Sequence, residues 1–418
     1  MSKSKNNVYE VFENIIFRYL GKSKSSKFSD ELIANVDDES KISAKAVSQI
    51  SELQLEDSGF HKLRRFQIES LITQTENKLV KGKFLDLLLN LAHTAISLGD
   101  FNLAVELFEN VIRKSKDDSN YIDFEANGYL GLGEVFTRQA YWDKSLKNIK
   151  LAKKLFLKQK FMTGAAKSEN LIGIIHGEKG ELLKSKKHFE KALTFLSDKK
   201  DKFIIAWIET NLGVVNQTLE NYDIAMAYFY RSLATFEILS AYRQIASVRY
   251  NIGSLLLRKN EFDAALTELD LSIAACEKSE FVHTLGMIFL KKADIYIALN
   301  DLPLAIAFAD KALEVATRIN DRLSIAEIYR IKGVIHRNLE NYELSENYLQ
   351  TSLRLNKEFE NQSNVAETAI DLGKLYENLN QYRKAKIYFQ EALNYYKSIS
   401  VSKEVEKIEK ILKKLKSK

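Results

Sequence analysis

The chain has 418 residues, 45% of them hydrophobic and 28% charged, with a formal net charge of +6. That balance is ordinary for a folded protein in water and excludes collagen-like or disordered classes. One proline and 16 glycines leave little material for long linkers. The single cysteine, Cys276, excludes an intramolecular disulfide and fits a reducing compartment. No stretch approaches 18 uncharged apolar residues, and the start, MSKSKNNVYE, has no signal-type apolar run. A cytoplasmic chain without a membrane span is expected.

Residues 1–40 read as an N-terminal helical segment. Val8, Val11, Phe12, Ile15, Ile16 and Tyr19 give residues 8–20 one apolar helical face, followed by a basic polar loop at 21–27 and a second short helix over 29–36. Residues 41–83 read as a possible degenerate repeat. Ser51 stands 41 positions before Ala92, Phe60 follows it at offset nine, and Ser70-Leu71 match a later small–large pair; Leu63 and Gln67 depart from the pattern.

From about 84 to 400 a small residue recurs every 40 positions: Gly133, Gly173, Gly213, Gly253, Ala293, Gly333 and Gly373, with Ala92 preceding by 41. Nine positions on comes a large residue (Phe101, Trp142, Leu182, Tyr222, Phe262, Leu302, Tyr342, Tyr382). Twelve on comes Ala or Ser, and sixteen on a mostly large apolar residue such as Phe189, Phe229 or Phe389. Offsets of 3, 4 and 7 place side chains on one face of an α-helix. A short polar break, as at Glu220-Asn221 or Asn380-Gln381, reads as a tight turn. Each of eight units is therefore a helix, a turn and an antiparallel helix, too small to stand without stacked neighbours.

Small, aromatic, Ala, Phe, Ala in that order resembles the tetratricopeptide repeat, most closely in NLGVVNQTLENYDIAMAYFYRSL at 211–233. The resemblance implies an all-α solenoid, a right-handed superhelix of hairpins whose first helices line a concave groove. At 40 residues the units are longer than the common form, and the proline that often closes the second helix is missing throughout. The one proline, Pro303, falls in the first turn of a helix, where its missing N–H costs little. A helical N-terminal segment ahead of 40-residue repeats is also similar in layout to the bacterial Rap-type regulators, which bind signalling peptides in the groove.

Residues 401–418 read as a basic amphipathic helix, with Val401, Val405, Ile408, Ile411, Leu412 and Leu415 on its apolar face. Capping of the array's end explains it more simply than a membrane or calmodulin-like role.

No constellation for catalysis stands out. The six histidines form no HExxH, and there is no Cys pair, P-loop, GxGxxG or GxSxG. His176 and His336 share one repeat position, which points to structure. Neither a metal nor a cofactor is expected, and an enzyme is disfavoured because no site appears. Nucleic acid is disfavoured too: Glu327, Glu367, Asp371 and Glu377 beside Arg330, Arg337 and Lys374 give a mixed lining that repels a phosphate backbone.

The groove is the candidate site, for a protein or peptide segment. Asn90, Asn211 and Asn251 stand two positions before the small residue, where the family's Asn commonly bonds a peptide backbone; a carboxamide both donates and accepts. Trp207, Tyr250, Met287 and Lys291 are candidate pocket residues, with Arg138, Lys167, Asn170 and Arg258 adding charge or hydrogen bonds. The family's two-carboxylate clamp is only fragmentary: Lys167, Asn170 and Asn211 are present, but Ser247 and Asn251 replace the basic residues of the next repeat. Two readings follow: a scaffold that holds a peptide or protein segment, and a regulatory sensor whose pitch changes on binding.

Overall fold

A computed structural model describes residues 18–19, 68–97, 99–197, 200–279, 283–319, 321–399 and 401–416. Among these there is no strand; the chain is helices and short turns. The loop expected at 21–27, the helix expected at 29–36, Ser51, Phe60 and most of the helix expected at 8–20 lie outside the described residues.

The described residues form eight hairpins: α1 (Lys81–Ser97) with α2 (Phe101–Ser115), α3 (Ile122–Arg138) with α4 (Trp142–Lys158), α5 (Met162–Glu178) with α6 (Leu182–Leu193), and α7 (Lys202–Thr218) with α8 (Tyr222–Ile238). They continue as α9 (Tyr242–Arg258) with α10 (Phe262–Ser279), α11 (His283–Ala298) with α12 (Leu302–Arg318), α13 (Arg322–Asn338) with α14 (Tyr342–Glu358), and α15 (Gln362–Asn378) with α16 (Tyr382–Ser398). A last helix, α17, spans Ser402–Lys416. Pro303 falls at the second position of α12, where no intrahelical N–H bond is lost.

The chain divides into two compact units, Met1–Leu132 and Gly133–Lys418. In the first, Phe84, Leu85, Leu88, Leu91, Phe108 and Val111 are buried. A Cβ on Gly131 would come within 2.2 Å of the Phe108 ring, so α3 can lie on α2 only without a side chain there.

In the second unit the grid residues are contact points. A Cβ on Gly173, Gly213 or Gly373 would stand 2.6, 2.5 or 2.8 Å from the ring of Phe189, Phe229 or Phe389, each sixteen positions on. Where the grid residue is Ala293, the residue sixteen on shrinks to Ala309, and both are fully buried in one cluster. The methyl added at the grid position is accommodated by a much smaller side chain opposite it, so the two members trade size. The small residue at offset twelve is a second close contact. Where it is serine, its hydroxyl donates to the grid carbonyl: Ser145 to Gly133 at 2.7 Å, Ser185 to Gly173 at 2.7 Å, Ser345 to Gly333 at 2.8 Å.

Every hairpin turn has one solution. The residue seven after the grid position takes a left-handed φ, at +61° for Glu220, Asn260, Asn300 and Glu340. The next N–H reaches back five residues, as from Asn221 to the Asn216 carbonyl and from Gln381 to the Tyr376 carbonyl. This closes the first helix and starts the second without unpaired carbonyls.

First helices of successive repeats touch one another from α5 to α15, while second helices stand further apart. The first helices therefore line the inner face. At the far end Val401, Ile408 and Leu415 bury against the cluster holding Leu393 and Tyr396, so α17 caps the array.

Candidate peptide-binding groove

The inner face of the second unit has two halves of different chemistry. On α13 and α15 the charges are consumed internally. Arg330 contacts Glu327 at 2.6 Å, Asp371 at 2.8 Å and Glu367 at 3.4 Å, and Arg337 reaches Asp371 at 3.3 Å. Burial opposes charge on Glu327 and Asp371, yet Arg330 beside them holds both carboxyls below their usual range. Arg258, from α9, closes on Glu367 at 3.5 Å. Lys291 is half-buried and pairs with Asp294 at 3.0 Å; burial alone would lower its ammonium, but Asp294, Tyr250 and Glu327 outweigh that and hold it protonated.

The other half, on α5 and α7, is open. Trp207 and Val214 are 37% and 39% exposed, one turn apart from Asn211 on either side along α7. Asn211 is half-buried and donates to the Asn170 side-chain oxygen at 2.9 Å. Asn170 is wholly buried, and its own amide N–H group has no partner. Lys167, one turn before Asn170, is half-buried with no carboxylate in ion-pair range among the described residues. At the end of α5, burial and then Asp321 push the Glu178 carboxyl up to about 7.

The remaining expected residues fall as follows. Met287 accepts the Ser324 hydroxyl on its sulfur at 3.1 Å. Tyr250 is half-buried, and burial raises its phenol; Asn251 is half-buried beside it on α9. Arg138 pairs along its own helix with Glu134 at 3.2 Å. Asn90 lies in the first unit, already engaged: its amide donates to the Tyr19 hydroxyl at 2.8 Å and to the Asp86 carbonyl at 2.8 Å. The structure thus brings together Lys167, Asn170, Trp207 and Asn211, sets Tyr250, Arg258 and Lys291 against the ion-pair half, and gives Asn90 a partner from the N-terminal segment.

Two features were missed in the sequence. Glu169 is fully buried on the side of α5 away from the groove and is held by Lys153, by Lys191 at 2.8 Å and by His188 at 2.7 Å. Burial alone would raise this carboxyl; the hydrogen bonds from Lys153, Lys191 and His188 bring it to about 2. His176 and His188 stack at 5.1 Å, and His336 on Tyr348 at 5.4 Å, in equivalent repeat positions, so these histidines pack the two helices of a hairpin together.

The second missed feature is a seam between repeats remote in sequence. The Trp142 indole donates to the Phe359 carbonyl at 2.6 Å, the Gln362 N–H to the Lys179 carbonyl at 3.3 Å, and the Tyr395 hydroxyl to the Gly180 carbonyl at 3.2 Å. Lys179 pairs with Glu360 at 2.6 Å. Leu182, Phe189 and Ile208 share one apolar cluster with Leu353, Phe389 and Tyr396. The winding brings the turns of the second unit's early repeats onto its late ones. A lone Trp at offset nine gives no hint of this, because a large residue stands at that position in every repeat.

Among the described residues no helix is long and apolar enough to cross a membrane, and no three His, Cys, Asp or Glu converge as a metal site. Tetratricopeptide-repeat family models match residues 87–120 and 324–398. No curated protein matches the chain. Several solved structures share the fold. A Rap protein complexed with competence and sporulation factor aligns over 80% of this chain and 98% of its own, at 12% identity and a TM-score of 0.54. A Rap conjugation gene regulator in complex with a Phr peptide covers 76% and 96%, at 14% identity and 0.55. Aspartyl phosphate phosphatase F from Bacillus subtilis covers 93% of both chains, at 15% identity and 0.50. With both matched spans on the 40-residue grid, one in the first hairpin and one across the last two, the chain is a tetratricopeptide-repeat protein.

Proposed function

We propose that the protein is a non-enzymatic adaptor that holds a peptide or protein segment along the α5–α7 half of its inner face. The observation that carries this is the row Trp207, Asn211, Val214: an indole and an isopropyl group left in solvent on either side of an amide, on a concave surface. Exposed apolar side chains in a groove gain by being covered, and a carboxamide between them can take a backbone C=O or N–H. The unpartnered Asn170 N–H group adds a donor, and Lys167 favours an acidic group on the segment. Trp207→Ala with Asn211→Ala tests the reading. Capture from cell extract by the intact protein and the double variant is compared, and partners held equally by both sink it.

The seam favours a second reading, a peptide-responsive sensor. Contacts such as Arg258–Glu367 and Trp142–Phe359 narrow the space a segment must enter, so binding and winding are coupled. Solution scattering with and without a bound segment separates the two readings: an adaptor keeps its profile, and a sensor opens or compacts.

A further inference from the structure

Between α4 and α9 the connections from one repeat to the next leave large apolar side chains in water. Leu157, Phe161 and Met162 do so at the α4–α5 turn, Phe203 at the start of α7, and Ile238 and Leu239 at the α8–α9 turn. Ile238 is 85% exposed, and Phe161 and Leu239 are each 45% exposed. Short contacts make these one edge. The Thr163 hydroxyl donates to Asp201 at 2.9 Å, which joins the starts of α5 and α7. The Phe203 ring meets Phe236 edge-on at 5.4 Å, which joins α7 to the end of α8. Later in the array Ile319, Phe359 and Ile399 occupy the repeat position of Leu239, and all three are buried. The exposure is thus confined to one part of the array and is not a property of the repeat.

The charge on that edge is positive. Lys158, Lys160, Lys200 and Lys202 are exposed, without an ion-pair partner among the described residues. Two acids on these elements are occupied among the described residues: Asp201 by Thr163 and the Ser197 N–H, Glu237 by Arg249. The turn backbones are satisfied internally, with Phe161 and Ala241 N–H groups bonded to the Phe156 and Phe236 carbonyls.

We propose that this edge docks on an anionic lipid bilayer, the apolar tips entering the interface and the lysines meeting the headgroup phosphates. Separate protruding tips, one helix pair apart, need a partner that moulds around each of them, as a fluid interface does and a folded protein surface does not. Lysine stems lie along apolar material while their ammonium groups stay at the headgroups, and satisfied turn backbones can leave water without penalty. The inference is independent of the groove reading, since neither Trp207 nor Asn211 takes part.

Vesicle sedimentation of the full chain tests it, with phosphatidylcholine alone and with phosphatidylcholine containing phosphatidylserine. Binding is expected to the anionic vesicles, to fall with added salt, and to drop at least about tenfold in Ile238→Asp/Leu239→Asp and in Lys158→Glu/Lys160→Glu. Both double variants alter exposed residues, and circular dichroism checks that they keep the fold. The proposal is overturned if the intact protein stays in the supernatant, or if variants and wild type sediment equally. It is likewise overturned if an acidic amphipathic peptide, and not the vesicles, is bound and then lost in the variants, because the edge is then a protein site.

Discussion

Gly180 sits with φ at +76° against Ser363, and a Cβ there would come 2.8 Å from the Ser363 nitrogen and 3.0 Å from the Tyr395 hydroxyl. The turn needs the left-handed conformation that glycine adopts without strain, and the seam needs the space that glycine leaves. Both demands fall on one residue. Gly180→Ala is therefore expected to part the seam rather than unfold the hairpin, because Glu220 and Asn260 hold the same turn elsewhere as non-glycine residues. The radius of gyration from solution scattering should rise. Trp142→Phe should act in the same direction and lower stability by about 1–3 kcal/mol, the usual cost of a buried carbonyl left without its donor. An unchanged profile in both variants would mean the seam does not hold the winding.

The size trade between grid and core residues gives a second expectation. Gly213→Ala drives a methyl into the Phe229 ring and should cost about 1–3 kcal/mol. Phe229→Ala alone should cost about 3–5 kcal/mol through the cavity it leaves. The double variant recreates the Ala293–Ala309 arrangement, so its loss should be smaller than the sum by more than about 0.5 kcal/mol. Denaturant titration of the four proteins measures that coupling; strict additivity would show that the two positions do not share a contact.

The same pair shows what the sequence made legible. Gly213 and Phe229 are sixteen residues apart, so the 40-residue period alone put them in the same place in every unit, and the hairpins followed. The open half of the groove was also within reach, because Trp207 and Asn211 are four apart on a helix whose inward side the repeat defines. The Arg330–Asp371 pairing was not, although both residues were recognised as groove-lining: they lie 41 positions apart, and only the rise from one repeat to the next sets them at 2.8 Å. The seam was further out of reach. Trp142 and Phe359 meet because small rotations accumulate over five repeats, and no local pattern records that sum.

Glu169 makes stability depend on acid. Its carboxyl titrates near 2 in the folded protein, below its ordinary 4.5, so its ion pairs contribute fully above about pH 4.5. That contribution is lost as pH falls from 4.5 towards 2. Each tenfold gain in a carboxyl's acidity on folding is worth about 1.4 kcal/mol, so the loss is on the order of 3 kcal/mol. Glu169→Gln should flatten this part of the pH–stability curve while lowering stability at pH 7, where Lys153, Lys191 and His188 lose their shared acceptor. An acid limb identical to the wild type would place the sensitivity elsewhere.

The two halves of the inner face should separate binding from stability. Removing Arg330 leaves Glu327 and Asp371 buried without their main countercharge, and breaking such a group costs about 3–5 kcal/mol. Arg330→Ala should therefore unfold at markedly lower denaturant concentration, and any loss of partner binding should follow the loss of fold. Trp207→Ala removes a side chain that is already partly in water and leaves no ion unpaired. Its stability should stay within about 1 kcal/mol of the wild type. An indole anchoring a segment is worth about 2 kcal/mol or more when truncated, so affinity should fall some thirtyfold at unchanged stability. Lys167→Ala should weaken binding less and make what remains less sensitive to salt, since the ammonium acts at long range and is screened. Calorimetric melting beside titration with a captured segment checks all three variants. If Trp207→Ala costs stability in proportion to affinity, the indole is a packing element and the α5–α7 face is not the site.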